Sequence, residues 1–268
     1  MEQVNNIFKV VNDGNYEISL KDFSEFLDVE INEKVTCIID LKDIKGTTTI
    51  TFNLARNANC KLRFLLVNEE KNITFKSNLF ANSTLNVYFA DYSTGKTTLK
   101  SIVNLNEEKS NTSFKFTSLT KKNDVKKYDI SFNHIVGKTY SNFEGYGVAM
   151  DKSFLTINGV SHVYANSTKS EAHQKVKVIL FDELSRAIAN PILKIDNDDI
   201  IASHACAIGS LNNDHIFYLL SRGLSLHDAR RLITTGYLLP IKEYFAEKEK
   251  DIITKYVEGD FNDWCRKN

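Results

Sequence analysis

Residues 72–90 read NITFKSNLFANSTLNVYFA. Ile73 and Phe75 stand two apart, and so do Leu85, Val87 and Phe89. A period of two places these residues on one face of an extended chain, the pattern of a half-buried strand. The Ala-Asn-Ser between the two runs reads as a turn, because Asn tolerates the left-handed backbone and bonds its own neighbours. Similar runs lie on both sides: TTTITFNL (47–54), KLRFLLV (61–67), TTLKSIVNL (97–105), TSFKFTSL (112–119) and KYDISFNHIV (127–136). Each is rich in β-branched and aromatic residues and bounded by Asn, Asp, Ser, Gly or Lys.

Strands spaced this way, with almost no helical signal between them from residue 16 to residue 209, suit a sandwich or a parallel β-helix. A sandwich leans on two-residue Asn-Gly or Asp-Gly hairpins. Here Asp13-Gly14 and Asn158-Gly159 are the sole instances, so stacked coils with longer turns are favoured. ANCKL (58–62) and ANSTL (81–85) match at a separation of 23, but the next coil falls out of register. Prolines number only two and glycines 11, so Asn is expected to take turn positions that Gly often fills.

The character changes at residue 212. NNDHIFYLLSRG (212–223) places Ile216, Phe217, Leu219 and Leu220 at helical spacing. Asn212 or Asn213 can cap its start, and Gly223 suits the left-handed residue past its end. Ser225 then opens a second helix with Asp228 three residues on, and Pro240 should end or kink it. Ile241 to Val257 suggests a last amphipathic helix. The expected division is a β domain over 1–211 and a helical domain over 212–268.

The chain of 268 residues carries 34 basic and 34 acidic side chains, so no net charge draws it to nucleic acid or an anionic membrane. No apolar run approaches the roughly 18 residues of a spanning helix. MEQVNNIFKVVNDG lacks the basic and apolar regions of a signal peptide, which points to the cytoplasm. Cys37, Cys60, Cys206 and Cys265 form no CxxC pair and are expected as free thiols.

The phosphate-cradling G-x-G-x-x-G and Walker A patterns are absent, as are G-x-S-x-G, HExxH and paired Cys/His zinc spacings. Asn197-Asp198-Asp199 reads as a solvated turn between strands, and His162 and His173 read as residues of solvated turns. ASHACAIG (202–209) holds the one suggestive pair, His204 and Cys206. On a strand they share a face, and imidazole with thiolate suits zinc, copper or an iron–sulfur cluster. A core thiol beside a hydrogen-bonded histidine explains the spacing equally well. Arg222, Arg230 and Arg231 would mark an acidic partner or simply a solvated helix face.

From Asn158 to Ile241 the chain resembles the SufB/SufD family of the SUF iron–sulfur cluster assembly system. ILFDELSRAIANPILKI (179–195) is similar to a strand–turn segment of that family. DDIIASHACAIGSLNNDHIFYLLSRGLSLHDARRLITTGYL (198–238) is similar to its most specific stretch. Ser203, His204, Gly209, Phe217, Tyr218, Leu219, Ser221, Arg222, Gly223, Leu224, Ala229 and Arg230 fall in register with it. The SufD branch is the nearer. The SufB branch carries Cys-Gly-Ala-His where this chain has SRAIANPIL, and an acidic residue where it has Ser203.

This resemblance implies a right-handed parallel β-helix, a triangular solenoid, with a C-terminal α-helical tail. It implies a non-catalytic, cytoplasmic scaffold that pairs edge to edge with a SufB-like subunit, or with itself. A SufC-like ATPase would dock on the tail through Phe217, Tyr218, Arg222, Gly223 and Arg230. A transient iron–sulfur cluster would form at the subunit boundary, with no tightly bound cofactor in the isolated chain. The family's histidine at that boundary falls on His204, the candidate metal ligand, with Cys206 the second candidate. Two departures stand out. Ala202 occupies a position where the family often has cysteine, and the N-terminal helical region of many relatives is not seen before the first strands. The alternative is a secreted or surface β-helix, either a polysaccharide-active enzyme or an adhesive module, which would need export and no FYLLSRGL helix.

Overall fold

The computed structural model describes residues 2–4, 6–20, 25–44 and 46–265, with side chains over 6–20, 25–44 and 46–259. In chain order the strands begin with Glu2–Val4 (β1), Ile7–Val10 (β2), Gly14–Ser19 (β3), Phe26–Ile31 (β4), Thr36–Lys42 (β5) and Thr47–Leu54 (β6). They continue with Asn59–Asn68 (β7), Asn72–Leu79 (β8), Thr84–Ser93 (β9), Lys96–Leu105 (β10), Asn111–Thr120 (β11) and Val125–His134 (β12). The last are Tyr140–Ala149 (β13), Phe154–Val163 (β14), Ser170–Leu180 (β15), Arg186–Ile195 (β16) and Ile200–Ser210 (β17). Asn213–Ser221 (α1), Leu226–Leu238 (α2), a 3₁₀ turn at Leu239–Tyr244 and Glu247–Cys265 (α3) follow.

From β2 onward, successive strands alternate between two sheets, and each pairs in parallel with the strand one coil away. The first sheet runs β1-β2-β4-β6-β8-β10-β12-β14-β16 and the second runs from β3 to β17 through the odd strands. The solenoid is therefore a flattened, two-sheeted coil, not the triangular one expected. Alternation explains the layering: Ile73 and Phe75 point inward and are buried, while Thr74 and Lys76 point out. Phe64, Phe89 and Phe116 stack in one interior row, with neighbouring ring centroids 5.6 Å apart. On the outer face of the first sheet, Asn78 donates to Asn53 at 2.8 Å, Asn104 to Asn78 at 3.0 Å and Asn133 to Asn104 at 2.8 Å.

The turns form ladders of their own. Lys34, Asn57, Asn82, Lys109, Lys138 and Lys169 all have positive φ at the equivalent corner of successive coils. Asn57 N–H donates to Ala81 O at 2.9 Å, Asn82 N–H to Glu108 O at 3.2 Å and Lys138 N–H to Thr168 O at 2.9 Å. A non-glycine residue in this region is uncommon. Here the inter-coil hydrogen bond secures it, so lysine serves as well as the expected asparagine. Beside one such corner, Gly137 is required for a different reason, because a Cβ there would sit 2.5 Å from Thr168 O.

Coils lengthen along the chain. Ile7 lies beside Asp28, twenty-one positions on, whereas Phe154 lies beside Arg186, thirty-two positions on. That growth is why the repeat seen in the sequence fails to persist. It also corrects the apparent match at 23, since Cys60 pairs with Leu85, twenty-five positions on. A step in width falls where the β9–β11 ladder ends at Asp91 and Ser118. Lys126 fills the gap, donating to Leu119 O at 2.8 Å and Asp91 Oδ1 at 3.1 Å, with both side chains wholly buried. Tyr128 donates to Asp91 Oδ2 at 2.6 Å, and Ser93 N–H donates to Asp91 Oδ1 at 2.8 Å. Every charge is matched inside, as a buried pair requires.

The helical tail doubles back over the outer face of the second sheet. Contacts run from α2 on β13 and β11, through the 3₁₀ turn on β11 and β9, to α3 on β9. Leu238, Ile241, Phe245, Ile253 and Val257 bury against outward residues such as Tyr88, Ala90, Tyr92, Leu119 and Val148. Tyr244 stacks on Tyr88 at 4.3 Å, Lys42 pairs with Glu249, and Tyr256 donates to Asn68 at 2.6 Å. Cys37, Cys60 and Cys206 are free thiols; the Cys265 side chain lies outside the described ones. No described helix is long and apolar enough to cross a membrane.

His134 is buried, with Nδ1 2.7 Å from Thr139 Oγ1 and Nε2 2.8 Å from Ser141 Oγ. Burial depresses its pKa to about 4. The folded state therefore favours the neutral ring, and the unfolded chain takes up the proton first. Stability from this group is complete above about pH 6.5 and is lost as pH falls toward 4, a loss of roughly 3 kcal/mol. Urea unfolding of the native chain should weaken over that window, and His134→Gln should flatten the slope. Lys126→Met should cost about 3–5 kcal/mol by stranding the Asp91 carboxylate. Pairing it with Asp91→Leu should recover only part of that loss in the same titration, because the Asp91 and Leu119 carbonyls stay without Lys126.

Candidate functional site

The coil stack ends at β16 and β17, and no described strand covers them. Every residue of β17 is exposed or only half-buried, although β15 beneath it buries alternate side chains in full. Register shows which β17 residues continue the interior: Ala202 on Ala172, His204 on Gln174, Cys206 on Val176 and Ile208 on Val178. The four lower residues are buried, so these four are core positions left without a lid. Ile195 and Ile208 show 43% and 39% of their surface for that reason. Ile188 and Ile192 are open on the outer face of β16, and Ile201 on that of β17.

His204 and Cys206 thus share the inward face of one edge strand, as their spacing predicts. Cys206 Sγ lies 3.6 Å from Ala189 O on the facing strand of the last coil. Partial burial pushes its thiol pKa up from the ordinary value, favouring the protonated thiol. Ala202 lies on the same face, two residues before His204. Cys206 therefore lies along the strand on the opposite side of the histidine from the position usual in the resembling family. Among the described residues no three His, Cys, Asp or Glu side chains gather as a metal-binding group. Two donors leave a coordination sphere to be completed from elsewhere.

The other histidines sit differently from the expectation. His162 and His173 lie on β14 and β15, not in turns. His162 Nε2 is 2.8 Å from Asp196 Oδ2, and its ring stacks on Tyr164 at 3.9 Å. His173 Nδ1 is 2.7 Å from Ser203 Oγ, and its Nε2 is 3.7 Å from Glu171. Both face outward, away from the face of His204. Their position one residue from the inward Val163 and Ala172 carried this information, but the polar neighbours obscured it. Asn197, Asp198 and Asp199 form the turn between β16 and β17.

The tail begins beside this open end. Asn212 caps α1 by accepting from Asp214 N–H and His215 N–H, and Gly223 takes φ +89° after it. Ser225 accepts from Asp228 N–H to cap α2. Phe217 is 73% exposed, Tyr218 56% and Leu220 40%, and no residue of α1 is buried. Of the apolar face read from the sequence, Ile216 packs against the core under the tail and Leu219 is half-buried, while Phe217, Tyr218 and Leu220 stay open. Arg222 lies over the Tyr218 ring, 5.2 Å from its centroid, and Arg230 over Phe181 at 6.0 Å.

Comparison with known proteins agrees with this architecture. A family model described as "SUF system FeS cluster assembly, SufBD core domain" matches residues 24–237. The iron-sulfur cluster assembly protein SufD of Bacillus subtilis is 37% identical over 102 residues, covering 37% of this chain and 23% of the relative. SufD of Escherichia coli is 23% identical over 241 residues, covering 89% of this chain and 56% of the relative. A SufBD family protein of Pyrococcus horikoshii is 32% identical over 118 residues, covering 42% and 26%. The matches span no more than 56% of the length of these relatives. With the family model across most of its length and a parallel coil beneath it, the chain belongs to the SufBD core family of the SUF iron–sulfur cluster assembly system.

Proposed function

We propose that this chain is a non-catalytic scaffold of iron–sulfur cluster assembly, whose open coil end receives a second β-helix. The observation that carries the reading is β17, an edge strand whose inward side chains are all core positions without a cover. Long, flat, apolar edges invite pairing and are otherwise blunted by charge, proline or a cap. On the first sheet the opposite edge is handled differently, because β1 pairs antiparallel with β2 and ends the parallel stacking there. A SufB-like subunit adding its own coil would extend both sheets and bury Ile195, Ile201 and Ile208 by strand addition.

The cluster is the cargo of this boundary. His204 and Cys206 would supply two donors from this side, imidazole and thiolate, and the facing subunit the remainder. The same supports hold for a second copy of this chain as partner, which would present the same donors twice. Residues 212–268 serve as the docking part for a SufC-like ATPase. Phe217, Tyr218 and Leu220 on the open side of α1 form its apolar contact, flanked by Arg222 and Arg230, with Gly223 setting the turn. The tail is bolted to the second sheet through α2 and α3, so movement imposed on it passes to the stack. SufC-like and SufB-like partners and a cytoplasmic setting are parts of this one reading.

Co-expression with SufB-like and SufC-like subunits tests it. Ile208→Asp should abolish co-elution with the SufB-like subunit and leave the ATPase bound. Phe217→Asp should do the reverse. His204→Ala should keep both partners while the visible absorbance of the assembled cluster falls severalfold. An intact complex with unchanged cluster content in all three variants would sink the proposal.

A further inference from the structure

β17, IIASHACAIGS, is eleven residues long with Ala205 at its centre. Laid antiparallel beside a second copy of itself, about a two-fold axis at Ala205, the strand is self-complementary. Ile208 would face Ala202, Ile201 would face Gly209 and Ile200 would face Ser210, so every isoleucine meets a small side chain or none. A slip of two residues sets Ile208 against Ile200 or His204 instead. A slip of one sets inward residues against outward ones. The strand holds no Asp, Glu, Lys, Arg or Pro, so two copies meet without like-charge repulsion and every ladder donor is present. The neighbouring edge on β16 does carry a proline, Pro191.

Chemistry gathers on the inward face of such a pair. A two-fold axis perpendicular to the sheet keeps both inward faces on one side, so His204 of each copy stands opposite Cys206 of the other. Directly opposite Cβ atoms lie about 4.5–5.5 Å apart, and positions two residues along a strand about 6.8 Å. The four Cβ atoms frame a rectangle whose centre is about 4 Å from each. Thiolate and imidazole side chains span such a gap to a shared metal ion. From β16 the residue facing Cys206 is Ala189, whose inward side chain is only a methyl. Two thiolates with two imidazoles are the Cys2His2 set of tetrahedral structural zinc sites. The two thiolates also cancel the charge of a divalent ion, so the enclosed complex is neutral.

We propose that two copies of this chain join β17 to β17 about Ala205 and bind one Zn(II) ion between them through His204 and Cys206 of each. Binding forms two Zn–S and two Zn–N bonds and releases the two thiol protons. The inference rests on the open coil end being a pairing edge, as read above, and it names the partner and the metal. Zinc held there and a cluster on the same donors exclude each other.

Zn(II) titrated into the metal-free full chain, with molecular mass followed by light scattering, tests the proposal. Dimers with one zinc per two chains are expected, and His204→Ala and Cys206→Ser should each lose the bound zinc. Register is read separately at Ala205 and Ala207, both exposed. With zinc present and diamide as oxidant, Ala205→Cys should give a disulfide-linked dimer that mass spectrometry maps to position 205 of both chains. Ala207→Cys should give no link at position 207, because its two copies would lie about 14 Å apart. Zinc bound one per chain, or equal crosslinking at both positions, would overturn the inference. A chain that stays monomeric with zinc, while its complex with the SufB-like subunit assembles a cluster, would overturn it and leave the scaffold reading intact. A zinc dimer in a chain that assembles a cluster with neither partner would do the opposite.

Discussion

A parallel coil satisfies its backbone only through its neighbours. Each strand interior to a sheet gives its N–H and C=O groups to the coil before and the coil after. Most other features of this molecule follow from that constraint. It fixes register, because slipping by one residue would turn every buried Phe, Val and Ile outward. It holds Lys34, Asn82 and Lys138 in a left-handed corner, since their N–H groups bond the next coil there. It also leaves the backbone groups on the outer edge of β16 and β17 with no described strand to pair them. β17 has the side-chain pattern of an interior strand and the environment of a surface one.

The same constraint explains the charged pair at the heart of an otherwise apolar stack. As coils widen, the β9–β11 ladder cannot continue, and carbonyl groups of Asp91 and Leu119 are left to be satisfied. Lys126 does so, and Asp91 with Tyr128 neutralises and orients it. Apolar side chains would fill the space but leave the carbonyls bare. The tail meets a related need on the outside. Outward positions of the second sheet such as Tyr92, Leu119 and Val148 are apolar, and α2, the 3₁₀ turn and α3 cover them. That covering ties the widest coils to narrower ones and leaves α1 as the one helix with no buried residue among those described.

The strands were legible because alternation is a local property. TTTITFNL coincides with β6, and NITFKSNLF differs from β8 by one residue. Helix caps were legible for the same reason: Asn212 and Ser225 act within three residues of themselves. The coil repeat was not, because its period drifts as the stack widens. Nor was the buried role of His134, which reads as one more polar residue in a strand whose alternation continues through it. His162 and His173 were misplaced into turns because polar neighbours on an outward face look like a loop when only composition is weighed.

By itself the sequence determined the strand pattern, the change to helix at residue 212, and the pairing of His204 with Cys206 on one face. All of these depend on residues a few positions apart, where covalent geometry sets what can face what. Tertiary structure alone decided that this face belongs to the uncovered end of the stack. It also decided that two sheets enclose the core and not three, and that the helices fold back along the second sheet. Those facts depend on which coil lies against which, and that is set by packing between residues twenty to two hundred positions apart.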